Sequence, residues 1–285
     1  MLPKFEHFIR ERLYLHNVTS ATISWYTEAF KWLPSESPSL DELKGMVVRM
    51  REKGLKATGA NSVIRAVNSY LHWCQAPNIK CSPVCTHLRL SQLKEPQLVL
   101  PTYTPAQITR FLNFKPRTFY DRRTHLLVLF FLDTGCRKSE ATGLRIRDID
   151  LDNLLVTLDG KGRKQRIVPI SFEMRKALFR YITMYNRKPD SLLFGSKQET
   201  RVEKRNVLRS VKLLCKRLGF DPPARTVHAF RHTFAVNYLR RGGSVFHLQK
   251  VLGHSTLEMT RRYANLVTAD LQAIHERVSL LSCSG

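Results

Sequence analysis

The sequence predicts a mainly α-helical protein with one small β-hairpin, arranged as two domains. Apolar residues recur every three or four positions through most of the 285 residues, which is the pattern of helices with one buried face. Two short β-like runs, 154–158 and 166–170, interrupt this pattern around a glycine-containing turn. A proline-containing linker, 96–103, separates a helical N-terminal domain, 1–95, from a second domain, 104–285.

Four helices are predicted in the N-terminal domain. The third begins at a capping box, Ser39 to Glu42, and ends at Gly54, and Pro34 stops the second. Three helices are marked by apolar residues at helical spacing: Phe5, Phe8, Ile9 and Leu13 in the first, Ile23, Tyr26, Phe30 and Leu33 in the second, and Val63, Ala66, Val67, Tyr70 and Leu71 in the fourth.

The second domain is predicted to be helical on both sides of the hairpin. Thr104 is an N-cap followed by Pro105 at the first helical position, and Gly242 with Gly243 closes a later helix. The other predicted helices cover 172–185, 202–218, 228–241, 244–252 and a C-terminal tail, 268–283.

The charge of the chain indicates a polyanionic partner. Lysine and arginine number 47 against 23 aspartate and glutamate, a net charge of +24, and 34 of the basic but only 15 of the acidic residues follow Glu95. A membrane-surface protein has comparable charge, but concentrated in a basic tract or amphipathic helix near an anchor. Because these cations are spread along the chain, we expect a nucleic acid partner and no membrane.

The cysteines indicate reduced thiols in a cytoplasmic protein, and no secretory signal is evident at the N-terminus. One group, His72, Cys74, Cys81, Cys85 and His87, has a second interpretation as a zinc site. The pairs lack the tight C-x-x-C spacing of such sites, and prolines interrupt them. Buried or idle thiols are therefore the favoured interpretation, and no metal is expected.

Two motifs place cations where a phosphate could bind. Arg137 opens a helix just after Gly135, where it strengthens a phosphate-binding site or simply pairs with Glu140 one turn along. Lys161 lies between glycines on the hairpin turn, where it reaches into a groove or is solvated as a loop cation.

Two further motifs combine histidine, arginine and tyrosine. His228 and Arg231 share a helical face and can present a proton-transfer group and a permanent cation to one phosphate. His232 points further round this helix, which favours a structural role. Tyr263 follows His254 by nine residues, beside two arginines, and on its own is also compatible with an amphipathic core position.

Together these motifs resemble the catalytic signature of the tyrosine recombinase (phage-integrase-like) family. Thr134 to Glu140 (TGCRKSE), His228 to Ala235 (HAFRHTFA) and Leu252 to His254 (LGH) are similar to its three boxes. Lys161 lies on the hairpin where the family carries its lysine, and Tyr263 has the family's spacing from the last histidine. The resemblance covers the second domain; the N-terminal domain resembles the family's core-binding domain more loosely.

The resemblance implies six catalytic residues: Arg137, Lys161, His228, Arg231, His254 and Tyr263. In this family the tyrosine hydroxyl attacks a phosphodiester, forming a 3′-phosphotyrosine bond and a free 5′-hydroxyl. Arg137 and Arg231 suit the charge on the nonbridging oxygens, and Lys161 suits protonation of the leaving oxygen. Nearby cations or His228 would help the tyrosine lose its proton, and His254 would bind the phosphate or orient the nucleophile.

No cofactor is expected, because the covalent ester conserves the energy of the broken bond, and neither an ATP-binding loop nor a two-metal carboxylate cluster is evident. Glu140 is expected to hold an arginine or cap its helix. Cys136 and Lys138 replace residues that are usually apolar in the family, a difference that concerns helix packing. The residues expected to contact the DNA backbone are Arg163, Lys164, Arg166, Arg240 and Arg241, and a solvated surface charge is the alternative for each.

The resemblance further implies that the two domains close as a C-shaped clamp on double-stranded recombination sites. A homotetramer is expected, with the tail helix exchanged between protomers; packing of the tail on its own domain is the alternative. An accessory protein or second recombinase is compatible with the sequence. Two other functions remain open at this point: a topoisomerase of the same chemistry, and a non-enzymatic DNA-binding protein.

Overall fold

The computed structural model describes residues 3–76, 79, 88–95, 100–160 and 165–267, with 264–267 as backbone only. Within these ranges no helix is both long and apolar enough to cross a bilayer. The elements are α1 (Pro3–Tyr14), α2 (Ser20–Phe30), α3 (Leu40–Glu52), α4 (Ala57–Trp73), α5 (Pro105–Leu112), α6 (Phe119–Thr134), α7 (Lys138–Ala141), a 3₁₀ turn (Ile146–Asp148), β1 (Ile149–Asp150), β2 (Leu155–Asp159), β3 (Gln165–Pro169), α8 (Phe172–Met184), α9 (Lys204–Arg217), α10 (Thr226–Arg240), α11 (Val245–Leu252) and α12 (Glu258–Val267).

The first compact unit, residues 1–98, has an aromatic core between α1, α2 and α4. Phe8 packs edge-on against Tyr26 and Tyr70, with ring centroids 4.9 and 5.6 Å apart. Such edge-to-face pairs add about 0.5–1.5 kcal/mol each to the stabilisation from burial alone. The apolar stripes of the helices therefore meet in a single core.

Two asparagines of α4 hold the segment that follows this bundle. Asn61 bonds both the N–H and the C=O of Leu93, at 2.7 and 2.9 Å. Asn68, two turns further along α4, does the same with Leu90, at 2.9 Å for each bond. The two side-chain amides thus satisfy backbone groups of residues 88–95, a segment that does not form a strand.

The second compact unit, residues 99–285, packs helices against a three-stranded antiparallel sheet of order β1-β2-β3. The buried Val156 of β2 lies opposite Val168 of β3. Because side chains alternate along a strand, Arg166 lies on the same inward face as Val168, opposite the buried Leu158. An arginine is therefore directed towards the interior of the unit.

The mainly helical fold class with a small sheet is confirmed, and the predicted strands and helices of the second unit that are described lie within two residues of their bounds. The capping box at Ser39 is also confirmed. β1 was not predicted, since two residues give no periodic signal. The units divide between Leu98 and Val99, inside the predicted linker, and the tail 268–283 lies outside the described residues.

The end of the predicted linker differs from the expectation, because it is part of the second unit's core. Tyr103 is buried, stacks on Phe230 with ring centroids 4.3 Å apart, and donates its hydroxyl to the Thr226 carbonyl. Its N–H donates to Thr233 Oγ1 at 2.8 Å. Residues just before α5 thereby anchor the start of α10, which carries three of the site residues described below.

Candidate active site

The first box forms a tight turn between α6 and α7. The C-cap of α6 is Gly135, whose φ of +59° favours glycine, and a Cβ there would lie only 2.4 Å from the Phe234 ring. Cys136 is buried, and burial raises the pKa of its thiol to about 12. It therefore packs as a small apolar residue, consistent with the family pattern at this position. Arg137 follows as the N-cap of α7.

Glu140 connects the first box to the sheet. Its carboxylate accepts from the N–H of Arg137 at 2.6 Å and from Arg137 Nη1 at 2.9 Å. It also accepts from both terminal nitrogens of Arg166, at 2.5 and 2.9 Å, while its own side chain is 1% exposed. Burial opposes ionisation, but these bonds outweigh it and hold the pKa of Glu140 below its ordinary value. Glu140 both caps α7 and holds an arginine, as the sequence predicted.

Backbone carbonyls hold the two predicted phosphate clamps. Arg231, which is 5% exposed, donates to the carbonyls of Gly135 at 2.9 Å and Leu252 at 2.7 Å. Arg137 Nη2 donates to the carbonyl of Gly253 at 3.1 Å. Burial and the neighbouring Arg137 lower the pKa of Arg231 to about 10, so it remains charged at neutral pH. These bonds draw the first, second and third boxes into one site.

Thr260 orients the histidine of the third box. His254 follows the left-handed Gly253, and its Nδ1 lies 2.9 Å from the hydroxyl of the fully buried Thr260. Burial lowers the pKa of His254 to about 4, with Arg231 and Arg137 as the next causes. The imidazole is therefore neutral at pH 7, and its Nε2 is not used in this bond.

Tyr263 lies inside this site. Its side chain is 4% exposed and packs against the residues of α10 and α11, while the His254 ring lies nearly parallel to it, with centroids 6.2 Å apart. Its hydroxyl lies 3.0 Å from Nδ1 of His232. Burial raises the pKa of Tyr263, and the positive charges of Arg231, Arg262 and Arg137 only partly oppose this. Tyr263 is thus both a packed residue and a component of the site.

The histidine that contacts the tyrosine is one for which the sequence favoured a structural role. His228, the predicted aid to deprotonation, lies one turn before His232 on α10, and its pKa is lowered by partial burial and by Lys138 and Arg231. His232, expected to be structural, makes the bond to Tyr263. The four-residue spacing of the two histidines, which places both on one side of a helix, is the sequence signal that could have shown this.

The structure tests few of the predicted DNA contacts. Arg240 and Arg241 are exposed at the end of α10, whereas Lys161, Arg163 and Lys164 lie outside the described residues. Arg166 differs from the expectation of a backbone contact. Both terminal nitrogens bond Glu140, Nε donates to the Val251 carbonyl at 2.8 Å, and the side chain is 11% exposed. Its donors are directed inward because side chains alternate between the two faces of β3, and Arg166 lies on the inward face.

One basic surface was not predicted. α9 buries Val207, Val211, Leu214 and Cys215 and exposes a row of cations on the opposite side. The spacing of this row, four, three and four residues, keeps it on one helix face. Its members are Arg205, Arg209, Lys212 and Lys216.

Comparison with known proteins places these residues in context. The sequence model of the phage integrase family matches residues 102–269, a range that contains all six predicted catalytic residues. The chain is 31% identical over 243 residues to tyrosine recombinase XerA of Saccharolobus solfataricus, covering 85% of this chain and 74% of that protein. It is 27% identical over 284 residues to tyrosine recombinase XerC of Syntrophus aciditrophicus, covering 93% and 86%.

Solved structures show the same fold. The Tn1549 transposon integrase in complex with transposon right end DNA aligns with a TM-score of 0.77 and 24% identity, covering 97% of this chain and 98% of that one. The XerH site-specific recombinase in a post-cleavage complex with a palindromic difH substrate aligns with a TM-score of 0.73 and 18% identity, covering 97% and 84%.

Proposed function

Because this chain belongs to the phage integrase family, we propose that it cleaves and rejoins DNA at specific sites, with Tyr263 as the nucleophile. The observation that carries the proposal is the position of the Tyr263 hydroxyl in a site that also contains Arg231, Arg137 and His254. Four of the six residues of the expected catalytic set, far apart in sequence, thus share one cationic pocket, and His228 borders it.

The electrostatics of the pocket suit a phosphodiester. The guanidinium groups of Arg137 and Arg166 bond the carboxylate of Glu140, whereas Arg231 bonds backbone carbonyls. The three arginines therefore carry two more positive charges than this one carboxylate offsets. Preorganised donors of this kind stabilise the charge that develops on the nonbridging oxygens of a pentavalent transition state. The arginines thereby supply the positive charge that a metal ion supplies in other phosphoryl-transfer enzymes.

The proposed reaction is an exchange of esters that needs neither ATP nor a metal. Tyr263 Oη forms a bond to phosphorus, and the bond to the 5′-oxygen breaks, leaving a 3′-phosphotyrosine. Lys161 is the proposed acid for the leaving oxygen, since an alkoxide leaves poorly without a proton. The 5′-hydroxyl of a partner strand then displaces the tyrosine, and the number of phosphodiester bonds is conserved.

The proposed partner is double-stranded DNA, held by both units as a clamp. The basic row of α9, together with Arg163, Lys164, Arg240 and Arg241, is the proposed backbone-contacting surface of the second unit. Strand exchange between two sites requires four active tyrosines, so we propose a tetramer joined by exchange of the tail 268–283. The protein would then act where its DNA is, in a prokaryotic cytoplasm.

A covalent trap tests the proposal. The wild type and a Tyr263→Phe variant are incubated in EDTA with nicked fragments of the source DNA, and the DNA that remains attached to protein is sequenced. We expect an adduct at a 3′ end with the wild type alone, at a recurring sequence. Adducts at unrelated sequences, with relaxation of any supercoiled plasmid, would instead indicate a topoisomerase. Equal DNA binding by both proteins without any adduct would indicate a non-enzymatic binding protein.

A further inference from the structure

The hydrogen bond between Tyr263 and His232 has a defined direction. A neutral tyrosine hydroxyl has one proton to donate, and Arg231, which lies nearby, has donors only. Arg231 donates a hydrogen bond to this hydroxyl, and His232 Nδ1, at 3.0 Å, is the neighbouring group that can accept its proton. The hydroxyl therefore donates to His232, which requires the neutral tautomer with its proton on Nε2.

We propose that His232 orients the Tyr263 hydroxyl and takes its proton when Oη attacks the phosphodiester. This inference rests on the proposed function and adds a proton acceptor to the six residues that the sequence predicts. His228 and His254 are less suited to the task. In the described part of the chain His228 makes no hydrogen bond to the hydroxyl, and Nδ1 of His254 is occupied by Thr260 at 2.9 Å.

The step balances in atoms and charge. The Tyr263 Oη–P bond forms and the P–O5′ bond breaks, with its electron pair going to O5′. The tyrosine proton moves along the existing bond to Nδ1, leaving His232 as an imidazolium. The proposed acid, Lys161, gives O5′ a proton. Rejoining reverses both transfers, so each residue returns to its starting state.

The surroundings of His232 keep it able to accept a proton. Partial burial lowers its pKa to about 4, and the other charged or titratable groups facing it are His228, Arg231 and Arg225 on the α10 side and Arg262 on α12. Between pH 7 and 9 the imidazole is therefore neutral. A bound phosphodiester adds negative charge beside these cations, which favours the imidazolium during attack.

Nitrogen NMR of the histidine side chains tests the hydrogen bond without any DNA. The wild type is compared with Tyr263→Phe at pH 7. We expect an unprotonated Nδ1 at His232 in the wild type, and a change in its resonance when the hydroxyl is removed. A protonated Nδ1, or a resonance that is unaffected by Tyr263→Phe, would overturn the proposed acceptor.

The pH dependence of cleavage tests the proton transfer. The rate of adduct formation is measured in single turnovers on the nicked duplex recovered by the covalent trap, for the wild type and His232→Asn. Asparagine keeps a short hydrogen-bond acceptor but is not basic. A lost general base typically costs at least 100-fold, so we expect a loss of about 100-fold at pH 7. Because hydroxide must then remove the proton, the variant should gain about tenfold per pH unit up to pH 9, while the wild type stays nearly constant.

His125→Asn is the matched control, since His125 bonds the Phe111 carbonyl at 2.7 Å and takes no part in the site. It should cleave at the wild-type rate at every pH. DNA binding and thermal unfolding identify a His232→Asn protein that has failed to fold, in which case the NMR result decides. A loss that is the same at every pH would overturn the proton transfer alone. No adduct with the wild type would overturn the proposed function and the transfer with it.

Discussion

Replacing Glu140 by glutamine tests how the site is held together. The carboxylate accepts four hydrogen bonds, three of them from guanidinium groups. Glutamine keeps the shape but only one accepting oxygen, and its amide hydrogens face positive charge. The change should therefore cost both stability and the position of Arg137, which bonds the same carboxylate.

The magnitude follows from the bonds that are lost. Each hydrogen bond to a charged group contributes about 1.5–3 kcal/mol, so losing two should lower the free energy of unfolding by at least about 3 kcal/mol. The Tm of a unit of this size shifts by about 2–4 °C per kcal/mol, which gives a decrease of at least about 6 °C in Tm. Arg166 carries most of this cost, because it is 11% exposed and cannot be rehydrated, whereas Arg137 is 32% exposed.

The chain offers an internal control for the measurement. All three tryptophans, Trp25, Trp32 and Trp73, belong to the first unit, so their fluorescence reports that unit alone. Glu140→Gln should leave the Tm of the fluorescence transition unchanged. It should lower the Tm of the unfolding transition of the second unit, which is followed by circular dichroism.

A double-mutant cycle with Arg166→Met identifies the source of the loss. The decrease in the free energy of unfolding caused by Arg166→Met should be at least about 1 kcal/mol smaller in the Glu140→Gln protein than in the wild type. In the Glu140→Gln protein the substitution removes a charge that has already lost its partner. The reasoning is refuted if Glu140→Gln shifts both transitions equally, or if the two substitutions are additive.

Three further predictions concern single features. Gly135→Ala should abolish adduct formation and lower Tm, because the new Cβ would lie 2.4 Å from a ring carbon of Phe234. The control Gly45→Ala, whose Cβ would have nothing within 4 Å, should stabilise the protein by about 0.5–1 kcal/mol. The pKa values of His232 and His254 fall from 6.5 in the unfolded state to about 4 in the folded state, so the folded state binds fewer protons than the unfolded state between these pH values. The urea concentration at the unfolding midpoint should therefore decrease as the pH decreases from 6.5 to 4. A midpoint that does not change with pH would contradict this. Thr260→Val should slow adduct formation by about tenfold without weakening DNA binding, as expected for loss of a bond worth about 1.4 kcal/mol that orients His254; a Thr260→Ser control should retain the rate.

The sequence was sufficient for most of the fold because its local signals agree with the packing. Capping boxes, glycine C-caps and apolar stripes place the helices within two residues, and the alternating runs place both strands of the hairpin. The linker was less well defined, since prolines mark irregular chain but not whether it is buried. Tyr103 shows the difference: its burial depends on Phe230 and Thr226, more than 120 residues away in the chain.

The candidate site was predictable in its residues but not in its contacts. The boxes identify Arg137, Arg231, His254 and Tyr263, yet no sequence pattern shows that Arg231 is fixed by carbonyls of the other two boxes. Arg166, which follows the cationic hairpin loop, was expected either to contact the DNA backbone or to be a solvated surface charge. Its alternation with Val168 was the available signal that it points inward, and a cation directed inward requires a buried acid, which Glu140 provides.

The division between arginines and histidines explains how so cationic a site can fold. Burying six positive charges together would be prohibitive, but the three histidines have lowered pKa values and contribute none at neutral pH. Three of the permanent charges are the guanidinium groups of Arg137, Arg166 and Arg231, and carbonyls and one carboxylate satisfy much of their bonding without neutralising them. In the proposed reaction, a phosphate of the DNA completes this arrangement, and its charge would favour protonation of the same histidines. Binding of the phosphodiester would therefore make proton acceptance easier at the point where Tyr263 is proposed to release its proton.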